Sequence, residues 1–236
     1  MNASPEPAPG PSAAALDREV EIPVGPVSLP GRLTLPAGAR GVVVFAHGSG
    51  SSRLSRRNQF VAEVLQRHGV GTLLLDLLTE PEAGSRANVF DIPLLAGRVA
   101  GAVAWLGEAA GTRGLGLGLF GASTGAAAAL VAAARAPERI QACVSRGGRP
   151  DLAGDSLPEV RAPTLLIVGG HDEAVIELNR EAVRQLTCPC ELVIVPGATH
   201  LFEEAGTLEE VARLAADWFA RHLAPRAPAA PRAPAR

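Results

Sequence analysis

Gly121-Ala122-Ser123-Thr124-Gly125 has the residue types of a nucleophile held on a sharp turn. The apolar run Leu115 to Phe120 precedes it and the alanine-rich run Ala126 to Ala134 follows it. The spacing therefore predicts a strand, a tight turn and a helix in immediate succession. Such a turn is strained and lifts a serine hydroxyl clear of the sheet, and it needs small neighbours because two backbones approach closely. Gly121 and Gly125 leave that room.

A serine hydroxyl is a weak nucleophile at neutral pH, so it needs a base within reach and a third group to orient that base. For a turn of this kind the expected chain order is serine, acid, histidine. Pro163 to Val168 reads as a buried strand closed by Gly169-Gly170-His171-Asp172, and Glu191 to Val195 as another closed by Pro196-Gly197-Ala198-Thr199-His200. Both candidates lie just past the carboxyl end of a predicted parallel strand, the edge where open α/β sheets place their sites. Ser123 is thus the candidate nucleophile, His200 the base and Asp172 the acid.

His200 has rivals. His68 precedes Gly69 at the end of a predicted helix, His222 ends the last predicted helix, and His171 shares the acid's loop. His47 opens a Gly/Ser-rich loop and suits holding that loop's shape by hydrogen bonding. Glu173 and Asp151 compete with Asp172, but Glu173 falls into the following helix and Asp151 follows the wrong strand. Gly116 to Gly121 matches G-x-G-x-x-G, yet its first glycines fall inside the predicted strand and the next strand ends in Ser145-Arg146 with no acid for a ribose, so a dinucleotide site is not expected.

The elements that must position these residues alternate. Residues 18–35 read as two antiparallel strands around Gly25-Pro26. Strands follow at 41–46, 70–75, 113–120, 140–145, 164–168 and 192–195, and helices at 54–68, 92–110, 123–134, 174–186 and 208–222, with Asp91 as a cap for the second of these. Near-continuous Val, Leu and Ile runs imply burial on both faces, hence a mostly parallel sheet covered by helices. Residues 1–16 and the Ala-Pro-Arg-rich 223–236 read as low-complexity, disordered ends around one domain, 17–222. Arg226, Arg232 and Arg236 fall in the second tail.

Composition agrees with one α/β domain. The chain has 236 residues, 47% of them hydrophobic but only 3% aromatic, so its core is aliphatic. A net charge of -2 suggests neither nucleic acid nor an anionic membrane surface as a partner. No apolar run approaches the roughly 18–20 residues of a membrane span, and no secretory leader is legible, so the cytoplasm is the expected location. Three cysteines form no disulfide framework, and no His/Cys/carboxylate cluster has metal-ligand spacing, so neither a metal nor another cofactor is expected.

His47-Gly48-Ser49-Gly50-Ser51-Ser52-Arg53, Gly121 to Gly125, Gly169 to Asp172 and Pro196 to Phe202 together resemble the α/β-hydrolase superfamily, and within it are similar to the dienelactone hydrolase-like group. Founding members of that group use a cysteine nucleophile, where this chain carries Ser123. The resemblance implies an α/β-hydrolase fold without a large lid, since only about residues 146–162 are free at the usual lid position. It implies that Ser123 attacks an acyl carbonyl, that His200 takes the proton and returns it to the leaving group, and that Asp172 stabilises the imidazolium. The oxyanion donors would be the N–H of Thr124 and of Ser49, with Gly50 as the alternate. Arg53 or Arg146 could pair with a substrate carboxylate, and Arg149 lies nearby. The expected activity is cofactor-free hydrolysis of a small carboxylic ester or lactone at an open site that prefers short acyl chains. Thioester hydrolysis or acyl transfer through the same triad, and a non-catalytic binding scaffold, are the alternatives. The oligomeric state is not legible.

Overall fold

The computed structural model describes residues 14–225. One eight-stranded sheet runs β1-β2-β4-β3-β5-β6-β7-β8. β1 (Ala14–Val24) and β2 (Val27–Pro36) pair antiparallel, and β2 pairs antiparallel with β4 (Gly71–Leu75). β3 (Gly41–Ala46), β4, β5 (Gly116–Ala122), β6 (Ile140–Arg146), β7 (Thr164–Gly169) and β8 (Cys190–Val195) are parallel. Every residue of β3, β4, β5 and β7 is buried, as runs covered on both faces must be.

Side chains alternate between two core layers. Val42, Val44, Leu117 and Leu119 face α4 (Ile92–Leu106), α5 (Thr124–Arg135) and α6 (Glu173–Gln185). Val43, Phe45, Phe120 and Ile167 face α1 (Arg56–Arg67) and α7 (Thr207–His222). Asp91 caps α4 as expected, its carboxylate accepting from Leu94 N–H at 2.9 Å. The glycines of the rejected dinucleotide motif serve packing: a Cβ on Gly118 would stand 2.7 Å from the Phe219 ring.

The structure moves several expected boundaries. β1 begins at Ala14, three residues inside the stretch read as a tail, because it gains a full antiparallel partner in β2. Leu223 is 3% exposed and packs in the core with α7, so the domain continues past residue 222. The remainder of that tail, with Arg226, Arg232 and Arg236, lies outside the described residues. α4 stops at Leu106 instead of 110, where Thr112 Oγ1 donates to the Leu106 carbonyl at 2.6 Å and satisfies a terminal acceptor. The stretch between β4 and α4 holds two short helices, α2 (Glu80–Ala83) and α3 (Arg86–Val89). A 3-10 run, Pro150–Glu159, kinked at Gly154, fills the usual lid position. Among the described residues no helix is long and apolar enough to cross a membrane.

Candidate active site

Ser123 joins β5 to α5 with φ 51 and ψ -122, a positive φ that a residue with a side chain seldom adopts. Strain of this kind costs on the order of 1–3 kcal/mol and persists only where the surroundings over-determine it. Here Ser123 N–H donates to the Arg146 carbonyl at 3.2 Å, and the Ser123 carbonyl accepts from Ala126 and Arg149 at 3.1 Å each. The flanking glycines are sterically required. A Cβ on Gly125 would stand 2.2 Å from the Ala46 carbonyl oxygen, and one on Gly121 2.4 Å from Ala126 Cα. Both obstacles are backbone and cannot swing aside. Gly125→Ala is therefore expected to lower stability by about 3 kcal/mol, and Gly50→Ala, which meets nothing within 4 Å but sits at φ 69, by about 1–2 kcal/mol; chemical-denaturation midpoints would order the two.

β7 and β8 bring the acid and the base together. Their exit loops interlock, with His171 N–H donating to the Ala198 carbonyl at 2.9 Å and Gly170 N–H to the Val195 carbonyl at 2.8 Å. Asp172 precedes α6, and its carboxylate accepts from His200 Nδ1 at 2.6 Å. With Nδ1–H committed to Asp172, the lone pair of the neutral ring is at Nε2, the atom a base must offer. The His200 side chain is 39% exposed and that of Asp172 16%. The base's loop is braced by Thr199 N–H to Glu204 Oε2 at 3.0 Å and by Phe202, buried at φ 54. His200 leans on β6: a Cβ on Gly147 would lie 3.5 Å from His200 Nδ1. Gly147 adjoins Arg146, whose carbonyl holds Ser123, so the His200 loop comes against the segment that fixes the elbow, while the side-chain contact within the expected triad is that of His200 with Asp172.

The loop after β3 lies over the nucleophile, a Cβ on Gly48 falling 3.0 Å from Ser123 Cβ. Ser49 N–H, one of the expected oxyanion donors, donates to Thr124 Oγ1 at 2.9 Å. It reaches the elbow but is already engaged there, and an oxyanion would have to compete with or share that acceptor. His47 fastens the loop from beneath. Its Nε2 accepts from Leu77 N–H at 3.0 Å, which places the ring proton on Nδ1, directed at the Gly48 carbonyl at 2.9 Å. Burial lowers the His47 pKa, and protonation would set two donors face to face at Leu77. The native state thus holds fewer protons here than the unfolded chain, so stability is full above the ordinary imidazole value of 6.5 and falls as pH drops below it. Denaturant midpoints between pH 5 and 8 should show this fall, and His47→Gln should flatten it.

Of the two arginines read as partners for a substrate carboxylate, Arg53 is engaged within the protein and Arg146 is not. Arg53 donates from its backbone N–H and from Nη1 to Asp76, at 2.6 and 2.7 Å, with Glu19 at 3.7 Å from Nε. It ties the loop after β3 to the end of β4 and the middle of β1, and a substrate carboxylate would have to displace Asp76. Arg146 is 8% exposed, and its Nε and Nη1 are sealed from solvent without a partner. Burial, aided by the charge of Arg57, lowers its pKa to about 10. It stays a cation at neutral pH, with those two donors unpaired. Arg149 is held bidentately by Asp151 at 2.8 and 2.7 Å.

One feature of the site has no motif in the sequence to mark it. A cavity of about 540 Å³ opens between the loop after β3 and the segment carrying α2 and α3. The only signal was the length of the stretch between β4 and α4, unusual for a connection in a compact domain. Among the described residues no group of three or more His, Cys, Asp or Glu side chains could hold a metal ion.

Comparison with known proteins places this geometry in context. The model of the dienelactone hydrolase family matches residues 30–224. The crystal structure of a dienelactone hydrolase from Anabaena variabilis is 56% identical, covering 88% of this chain and 98% of that one, with a TM-score of 0.86. Est1E from Butyrivibrio proteoclasticus shares the fold at 18% identity, with 86% of this chain and 98% of that one covered and a TM-score of 0.73. Two Mycobacterium tuberculosis proteins named "Putative phosphoribosyl transferase" are 61% identical over 207 residues, 88% of this chain and 47% of theirs. The chain thus spans about half the length of these curated relatives.

Proposed function

The chain belongs to the dienelactone hydrolase family, and from that premise we propose that it is a serine hydrolase cleaving a carboxylic ester or lactone through an acyl-enzyme on Ser123. The observation that carries the reading is the 2.6 Å contact from His200 Nδ1 to Asp172 over the same sheet edge as the strained Ser123. Family membership supports a hydrolase.

In the proposed reaction His200 Nε2 takes the Ser123 proton as Oγ attacks the carbonyl. The tetrahedral oxyanion is met by Thr124 N–H at the start of α5, where the helix dipole adds positive potential. Ser49 N–H, or Gly50 N–H from the same loop, supplies the second donor. Asp172 stabilises the imidazolium. His200 then protonates the leaving alcohol and activates water for deacylation. The partner required is a small-molecule ester, and no step calls for a cofactor. A thiol ester, or an alcohol in place of water, would use the same groups. The name of the Mycobacterium tuberculosis relatives belongs to proteins about twice as long, and phosphoribosyl transfer is not proposed for this chain.

Labelling with a fluorophosphonate tests the reading. The expected result is a stoichiometric adduct by intact mass that maps to the Ser123 peptide. Folded protein that stays unmodified, and that leaves p-nitrophenyl acetate intact, would point to the non-catalytic binding scaffold instead.

A further inference from the structure

The cavity beside the loop after β3 has a chemistry that the proposed reaction alone does not specify. On one side its wall is Gly48, Ser49 and Gly50. Gly48 stands against Ser123, so the space begins within one residue of the nucleophile. Opposite lie Leu78, Val89 and Leu95. At about 540 Å³ it falls within the range of pockets that enclose a whole small-molecule ligand, roughly 300–1,000 Å³. An acetyl group would leave most of it empty.

Strand order decides which arm of an ester can enter. Counting across the sheet, β4, β3, β5, β6, β7 and β8 lie side by side. The nucleophile is above β5. His200 approaches from the β8 side and rests on Gly147 after β6. The cavity lies on the other side, above β3 and β4. The leaving alcohol must sit beside His200, because that imidazole protonates it, which leaves the acyl arm to point toward β3 and β4.

Charge decides what kind of acyl arm. The ionisable residues lining the cavity are His47, Arg53, Asp76 and Glu80. His47 is neutral while its Nε2 accepts from Leu77 N–H. Arg53 and Asp76 form an ion pair at 2.7 Å, with Glu19 beside Arg53 at 3.7 Å. Glu80 adds a negative charge. Arg53, the cation of the lining, is thus already paired and is outnumbered by Asp76 and Glu80, so an acyl carboxylate would be desolvated against like charge. Resting on the serine-hydrolase reading, we infer that the cavity is an acyl pocket for a bulky, uncharged, apolar acyl group, seated on Leu78, Val89 and Leu95. This reverses the preference for short acyl chains that the sequence suggested, and the apolar wall of the pocket comes from α4 and the segment before it instead of the usual lid position.

A p-nitrophenyl ester series with one common leaving group tests it: acetate, octanoate, benzoate and hemisuccinate. The wild-type protein is expected to show kcat/KM for octanoate or benzoate about tenfold or more above acetate, since each well-filled methylene contributes on the order of severalfold, with hemisuccinate the poorest. Val89→Phe, on the half-buried cap, is expected to lower octanoate and benzoate turnover about tenfold more than it lowers acetate turnover. Ala83→Phe, exposed on the same wall, replaces it if Val89→Phe does not fold. An optimum at acetate, a preference for hemisuccinate, or equal loss on every ester in a folded variant would overturn the inference and leave the hydrolase reading intact. Failure of the wild-type protein to hydrolyse any of the four, together with no fluorophosphonate adduct, would overturn both.

Discussion

Ser123→Ala should lower kcat on an activated ester by on the order of 10⁵–10⁶-fold, because a triad acts as a unit and without its nucleophile only binding and oxyanion stabilisation remain. The protein should stay folded, since the hydrogen bonds that hold the elbow are made by the backbone of Ser123: its N–H to Arg146 and its carbonyl to Ala126 and Arg149. Alanine keeps the strain of φ 51. Ser123→Gly should relieve it and raise stability by about 1 kcal/mol while being equally inactive. Steady-state kinetics with denaturation curves on both variants check the pair. Residual activity above about 1% in Ser123→Ala would assign the nucleophile elsewhere.

Asp172→Asn should lower kcat by about 10⁴-fold with little change in KM. The carboxylate accepts from His200 Nδ1–H at 2.6 Å. An amide turned to donate from its NH₂ would make Nδ1 the acceptor and move the ring proton to Nε2, where it blocks the base. Asp172 also loses its role as counter-charge to the imidazolium. The fold should tolerate the change, because Asp172 caps α6 without a side-chain hydrogen bond to the helix. A loss carried by KM instead of kcat would make Asp172 a binding group and leave His200 without its orienting partner.

The elements that carry chemistry were readable because they combine period and punctuation. β3, β5 and β7 are continuous apolar runs, and each ends in residues whose only sensible place is a turn at a sheet edge. The order serine, acid, histidine then follows from topology, since each stands after a later parallel strand. Ala14 to Leu16 has the composition of a tail, and its strand character comes from pairing with β2. Leu223 likewise begins a stretch of tail composition, and its burial is granted by the sheet and α7.

The amino-acid order by itself determined the fold class, the strained turn at Ser123 and the candidacy of Asp172 and His200, because backbone sterics and hydrophobic period are local properties. Only the tertiary structure decided that Ser49 N–H is engaged by Thr124, that Arg53 is already spent on Asp76, that two donors of Arg146 are sealed without an acceptor, and that α2 and α3 wall a cavity beside the nucleophile. Those facts depend on which groups meet across tens of residues, and hydrogen bonds, ion pairs and empty space exist only once both partners are in place.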